Sequence, residues 1–151
     1  MAHSTSADAY VVEQREERIA RKDALKTPSR QAFEVLHWGF TAAPVLFGLD
    51  KFLHVMTNWD GYLSPAFAKI SPFGVHATML WVGVIEMVAG LLVAIKPKIG
   101  GWVVAAWLFG IIVNLALLGN AWDIALRDFG LMLGAIALAR LAEAHERREI
   151  P

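Results

Sequence analysis

Residues Val75 to Ile95, VHATMLWVGVIEMVAGLLVAI, contain a single charged side chain, Glu86. A helix of this length is about 31 Å long, which matches the hydrocarbon core of a bilayer. A charge at mid-span costs roughly 2.5–3.5 kcal/mol on insertion scales, so Glu86 must be protonated, paired or turned toward a polar interior. At helical spacing Glu86 shares a stripe with His76, Met79, Gly83 and Gly90. We therefore predict that Glu86 faces inward in a small bundle, and that a neighbouring helix comes close at the two glycines.

The composition of the 151-residue chain agrees with a membrane protein of one domain, since 56% of it is hydrophobic and its mean hydropathy is +0.46. The net charge is zero, which gives no argument for a nucleic-acid partner. The chain has no cysteine, which excludes disulfides, thiol redox chemistry and iron–sulfur ligation by its own residues. The first thirty residues are polar, so we expect no cleavable signal peptide and a first span that acts as the insertion signal.

Four apolar segments predict an all-α fold, an integral membrane four-helix antiparallel bundle with an N-terminal cytoplasmic helical arm. The predicted spans cover about 32–56, 75–95, 99–121 and 124–142, within a transmembrane domain of residues 31–143. Residues 1–30 form the polar arm, read either as a solvated helix with a disordered start or as a docking or lipid-facing arm, and 144–151 form a charged tail. Pro28 predicts a helix break before the membrane, and Pro65 to Ile70 a short surface helix within the loop after the first span.

The basic residues predict the orientation of these spans. Eleven of the fourteen lysines and arginines fall in the N-terminal segment, the turn between spans two and three, and the C-terminal end. With four spans these regions share one side of the membrane, and the positive-inside rule places that side, with both termini, in the cytoplasm. Lys51, Lys69 and Arg127 fall toward the other side.

Ionisable and amide side chains gather toward the outer end of the predicted bundle. The candidate pocket residues are Asp50, Lys51, His54, His76, Glu86, Asn114, Arg127 and Asp128. One interpretation is an outward-facing ligand pocket above Glu86, which would lie about 15–18 Å deeper than the other groups. The other is a set of interfacial ion pairs that orient the helices, for example Lys51 with Asp128, or Arg127 with Asp50. No catalytic nucleophile–base arrangement stands out.

His54 and His76 are predicted to lie at similar depth on adjacent helices, which raises the question of a haem or a metal ion. Both positions are at the membrane edge, where histidine is ordinarily hydrated, so haem b is disfavoured. A metal site built from His54, His76 and Asp128 is disfavoured equally. We therefore expect no metal and no tightly bound cofactor, with quinone as the one candidate ligand.

Three segments carry a resemblance to a known family. Gly48 to Phe52 (GLDKF), Glu86 to Val93 (EMVAGLLV) and the pair Arg127-Asp128 resemble, in order and placing, the DoxX/DoxD-like family of small four-helix membrane proteins. The resemblance covers about residues 33–141. It implies that Lys51, Glu86 and Asp128 are the family's polar positions.

The resemblance also implies a function, either an accessory membrane subunit linked to quinone-coupled oxidation or a membrane partner of redox-defence proteins, and the chain's own residues suggest no redox centre. Such a subunit would sit in a bacterial inner membrane with other membrane or redox subunits, or as a homo-oligomer. Two alternatives stay open. One is a structural or assembly subunit of a larger respiratory or photosynthetic complex. The other is a proton-coupled transporter of a small solute, because a buried glutamate beside polar groups can bind a proton.

Overall fold

The computed structural model describes the backbone of residues 4–25 and 27–149 and the side chains of residues 9–20, 23 and 27–146. Over these residues the chain is all-helical, with six α-helices, one short 3-10 helix and no strand. The elements in chain order are α1 (Ser4–Leu25), α2 (Pro28–Leu53), the 3-10 helix (Trp59–Tyr62), α3 (Pro65–Ile70), α4 (Val75–Ile95), α5 (Pro97–Leu118) and α6 (Trp122–Glu149). Expectations that fall on residues 1–3, 26 and 150–151, such as the disordered start of the chain, lie outside the described residues.

The chain divides into two compact units, residues 1–34 and 35–151. In the first unit, the side chains of residues 9–20 in α1 are exposed. The predicted helix break is confirmed, because α1 ends at Leu25 and α2 begins at Pro28. Arg30 in the first turn of α2 forms an ion pair with Glu34 at 2.7 Å.

Three helices in the described part of the chain, α2, α4 and α5, are long and apolar enough to cross a membrane. Much of their surface stays exposed, as in α4, where Trp81, Val88 and Leu91 are each more than half exposed. Large apolar side chains in such positions are consistent with contact to a lipid bilayer. The fourth predicted span, α6, differs because Arg127, Asp128 and Arg140 interrupt its apolar sequence.

The bounds of α4 agree with the predicted span, and those of α2, α5 and α6 differ from the predicted spans at their ends. Helix α4 covers the predicted residues 75–95, and α3 covers the predicted Pro65 to Ile70. Helix α3 begins there because the Ser64 side chain accepts a hydrogen bond from the Phe67 amide and Pro65 suits the first helical turn. Helix α5 ends at Leu118, before the predicted residue 121, because Gly119 adopts a left-handed φ of 81°.

The first predicted span extends too far at its C-terminal end. Helix α2 ends at Leu53 and not at Met56, since His54 has a φ of 53° and the chain turns away. The Asp50 carboxylate then accepts hydrogen bonds from the amides of Val55 and Met56 at 3.0 and 3.1 Å. A carboxylate that binds the backbone beyond a helix end in this way stabilises the turn.

Small residues allow the helices of the second unit to approach closely. A Cβ atom added to Gly90 of α4 would lie 2.8 Å from the Thr41 carbonyl oxygen of α2. One added to Gly101 of α5 would lie 2.9 Å from the Ala135 carbonyl oxygen of α6. Such contacts between backbones are typical of helix packing in membranes. The predicted inward stripe of α4 is confirmed from Met79 onward, because Met79, Gly83, Glu86 and Gly90 are all buried.

Candidate functional site

The centre of the site is a buried ion pair between two helices of membrane-spanning length. The Lys51 ammonium of α2 donates a hydrogen bond to Glu86 Oε2 of α4 at 2.6 Å, and the residues are only 3% and 8% exposed. Removing both charges from water costs several kcal/mol per ion, and their attraction recovers that cost only with good geometry. A buried pair is therefore weak evidence for stability. Ionisable groups inside an apolar bundle more often mark a functional site.

The close approach of α2 and α4 places the two charged side chains together. Gly48 lies one turn before Lys51, and Gly83 lies one turn before Glu86. A Cβ added to Gly83 would lie 3.1 Å from the Cβ of Lys51, so the lysine stem packs directly on the glycine. The long lysine side chain then extends along α4 to the carboxylate.

Trp59, in the 3-10 helix, covers the ion pair. The Lys51 Nζ lies 4.0 Å from the centroid of the Trp59 ring, within the range of a cation–π contact. The Trp59 indole N–H donates a hydrogen bond of 2.7 Å to Asp50 Oδ2, which fixes the ring in place. Phe47 packs edge-on against the same indole at a centroid distance of 6.1 Å. The ammonium is therefore enclosed by Glu86 on one side and an aromatic ring on another.

Asp128 and Trp107 extend the site toward α5 and α6. Asp128 is 6% exposed and interacts electrostatically with both Lys51 and Glu86. It also accepts a hydrogen bond from Arg127 Nε at 3.2 Å. The indole of Trp107 interacts with Glu86, and among the described residues its buried Nε1 has no partner that meets hydrogen-bond geometry. The indole N–H of Trp107 thus lies near the Glu86 carboxylate.

A second cluster of ionisable side chains lies where α2 ends and α4 begins. The His54 and His76 rings stack at a centroid distance of 5.5 Å, and His76 Nδ1 lies 3.1 Å from Asp60 Oδ2. Asp60 belongs to the same 3-10 helix as Trp59. His54 and His76 are exposed and Asp60 is half-buried, in contrast to the Lys51–Glu86 pair.

Asn114 holds the loop after the first span against α5. Its Oδ1 accepts a hydrogen bond from the Ser64 amide at 2.9 Å, and its Nδ2 donates to the Tyr62 carbonyl at 2.7 Å. Ser64 is fully buried. The side chain thus anchors the backbone between the 3-10 helix and α3.

The eight candidate residues therefore lie in several groups and not around one outward pocket. Lys51 and Glu86 are in contact and Asp128 interacts electrostatically with both, whereas Asp50 binds Trp59, Asn114 binds the loop, and His54 and His76 form a separate cluster. Lys51 was expected about 15–18 Å from the level of Glu86, but the two are in contact, because α2 crosses α4 with Lys51 against Gly83, one turn before Glu86. The sequence suggested ion pairs of Lys51 with Asp128 and of Arg127 with Asp50. In the structure Lys51 instead pairs with Glu86, and Arg127 pairs with its neighbour Asp128.

Sequence reasoning missed three residues of these groups. Trp59, Trp107 and Asp60 are not among the eight candidates, yet Trp59 lies over Lys51 and Trp107 interacts with Glu86. Asp60 contacts His76. The adjacency of an aromatic and an acidic residue in the Trp59-Asp60 turn is the one signal that could have drawn attention to the loop.

No protein-family model, no curated protein and no solved structure matches this chain. The resemblance to DoxX/DoxD-like proteins therefore rests on the three sequence segments alone and stays a prediction.

Proposed function

We propose that this protein is a small integral membrane subunit that supports quinone-linked oxidoreduction at the Lys51–Glu86 pair. The observation that carries the proposal is the 2.6 Å contact between these two charges, buried between two helices of spanning length. A quinone headgroup has two carbonyl oxygens that accept hydrogen bonds, and its reduction by two electrons takes up two protons. An ammonium, a carboxylate and the indole N–H of Trp107 supply the donors and the proton exchange that such a ligand needs. The electrons would come from a partner subunit.

The proposed membrane architecture is an antiparallel bundle of α2, α4, α5 and α6. Contacts between α2 and α4 support antiparallel packing, because Gly48 faces Gly83 whereas Thr41, earlier in the chain, faces Gly90, later in the chain. The large apolar side chains on the outer surface of α6, such as Leu126 and Phe129, support a fourth lipid-facing helix.

The family resemblance gives independent support for the proposed site. Two of its three segments contribute Lys51 and Glu86, which are in contact, and the third contributes Asp128, which interacts with both. Segments far apart in sequence thus converge on one buried cluster, as expected if they share a function.

The test is the quinone content of protein purified in mild detergent through a tag other than polyhistidine. Wild type should carry quinone, and Glu86→Gln should lose it together with any co-purifying redox subunit. Glu146→Gln is the matched control, because Glu146 pairs with Lys98 at 3.1 Å on the surface. Quinone bound equally by all three proteins, or by none, would overturn the proposal. Proton uptake in proteoliposomes without a redox partner, abolished in Glu86→Gln, would instead indicate the transporter.

The second candidate is a structural or assembly subunit, and the exposed face of α1 favours it. Tyr10, Val11 and Val12 are each more than half exposed in a helix rich in charge. A subunit of this kind would lose its partners on removal of residues 1–30 and keep them in Glu86→Ala. The reverse result would favour the quinone-linked function.

The proposed location is a bacterial inner membrane, and the proposed orientation places both termini on its cytoplasmic side. Because the chain has no native cysteine, single substitutions report accessibility cleanly. A membrane-impermeant maleimide applied to spheroplasts should label Gly61→Cys, where a side chain would have open space, and leave Lys98→Cys unlabelled. Labelling of Lys98→Cys in intact spheroplasts would contradict the orientation.

A further inference from the structure

Three side chains with metal-ligand chemistry converge at the junction of α2, the 3-10 helix and α4. His54 follows the end of α2, Asp60 lies in the 3-10 helix, and His76 is in the first turn of α4. One ligand atom from each lies within 4.8 Å of the other two. The Asp50 carboxylate holds the first two segments, through the Val55 amide after α2 and the Trp59 indole beside Asp60, and the α4 helix holds the third.

The distances suit a small divalent ion. Metal bonds of about 2.0–2.1 Å in a tetrahedron place neighbouring ligand atoms about 3.3 Å apart. His76 Nδ1 and Asp60 Oδ2 are already 3.1 Å apart. The His54 ring is stacked on His76 with an interplanar angle of 22°, and its exposed side chain offers a ligand nitrogen within 4.8 Å of the other two ligand atoms.

The backbone of His54 is a second and independent observation. Its φ of 53° is the one positive value at a non-glycine residue in the described part of the chain. The left-handed conformation costs a residue with a Cβ roughly 1–2 kcal/mol, and such strain clusters at ligand sites. Glycine would be free of this cost, yet the position carries an imidazole that stacks on His76.

We propose that His54, Asp60 and His76 bind a divalent transition-metal ion, with Zn²⁺ as the representative species. Two imidazoles and one carboxylate are the ligand set of open zinc sites, in which water completes the coordination. The site is exposed, so the ion would enter from the solvent. By joining the end of α2 to the start of α4, the ion would also hold the segment that carries Trp59 over Lys51. The inference is independent of the quinone-linked function.

The test is Zn²⁺ binding to the full-length chain in detergent, purified through a tag without histidine and stripped of metal. Isothermal titration should give about one ion per wild-type chain. His54→Gly, Asp60→Ala and His76→Ala should each weaken binding at least tenfold, since loss of even an outer-shell partner costs 10–100-fold. His54→Gly is the decisive variant, because glycine suits φ 53° and the fold is preserved while the imidazole is removed. His145→Ala, near the C-terminal end of α6, is the matched control and should bind as wild type does.

A second readout does not depend on affinity alone. Ligand that binds only the folded state raises the melting temperature, so Zn²⁺ should raise it for wild type and His145→Ala and leave it unchanged for His54→Gly. Co²⁺ in the wild type should give the intense visible bands of a four- or five-coordinate site. Failure of wild type to bind, or unchanged binding in any of the three ligand variants that retain wild-type helix content, overturns the proposal.

Discussion

Gly48 and Gly83 face each other where α2 crosses α4, and neither position has room for a side chain. A Cβ on Gly48 would lie 2.5 Å from the Gly83 carbonyl oxygen, and one on Gly83 would lie 2.7 Å from the Gly48 carbonyl oxygen. This reciprocal contact sets the distance between the two helices at the glycines. Each glycine precedes the charged residue of its own helix, Lys51 or Glu86, by one turn. The buried ion pair therefore depends on two residues that have no side chain.

Replacement of either glycine by alanine should separate the helices. Gly83→Ala places a methyl group against backbone that cannot move alone, and overpacking of this kind costs about 1–3 kcal/mol. Gly39→Ala in α2 is the control, because a Cβ there meets nothing within 4 Å and the alanine should be neutral or stabilising by up to about 1 kcal/mol. Thermal unfolding in detergent measures both, and equal melting temperatures for the two variants would contradict the close contact.

Loss of one partner of the ion pair should cost more stability than loss of both. Lys51→Met leaves the Glu86 carboxylate buried without its cation, which is expected to cost about 3–5 kcal/mol. Lys51→Met combined with Glu86→Leu removes both charges and should recover much of that loss. A double-mutant cycle on the free energy of unfolding measures the coupling.

The surface pair Lys98–Glu146, at 3.1 Å and with both side chains about half exposed, serves as the comparison cycle. Exposed pairs contribute roughly 0–1 kcal/mol, so its coupling should be small. A Lys51–Glu86 coupling no larger than that of Lys98–Glu146 would show that the buried pair is not formed in the membrane protein.

The hydrogen bond from Trp59 to Asp50 should hold the loop over Lys51. Trp59→Phe keeps an aromatic ring and removes the N–H that donates at 2.7 Å, and bonds to charged groups contribute about 1.5–3 kcal/mol. We expect a lower melting temperature and faster proteolysis between residues 54 and 60. Trp81→Phe, at an exposed position on α4, should change neither. A Trp59→Phe protein as resistant as Trp81→Phe would argue against this role of the indole.

Asn114 should be required for the order of the loop that it binds. Asn114→Leu preserves size and removes both hydrogen bonds, which leaves the buried Ser64 amide without its acceptor at a cost of about 1–3 kcal/mol. Hydrogen–deuterium exchange should accelerate at residues 62–67. Asn120→Leu, at an exposed position after α5, is the control and should leave exchange there unchanged.

Much of the fold could be predicted because span length and helix termini are local properties. The bounds of α4, the short helix at Pro65 and the burial of Glu86 follow from a run of apolar residues, a proline after a capping serine, and the cost of a lone charge. The end of α2 was placed three residues late, because the Asp50 carboxylate and the strained His54 backbone end the helix within a sequence that looks apolar.

The choice of partners could not be predicted in the same way. Lys51 had several carboxylates within plausible reach, and its long flexible stem made helical position a poor guide to where the ammonium lies. Trp59 and Asp60 belong to a loop, where no periodicity indicates which way a side chain points.

The sequence by itself determined that the chain is helical, that three or more helices can cross a bilayer, and that one carboxylate lies buried among them, since each depends only on length, hydropathy and the cost of a charge in an apolar medium. The tertiary structure alone decided that this carboxylate binds Lys51, that Trp59 lies over the lysine, and that two histidines and Asp60 meet in a separate cluster. These contacts depend on the distance and the register at which α2 crosses α4. The facing glycines Gly48 and Gly83 fix that crossing, and no single segment of the sequence specifies it.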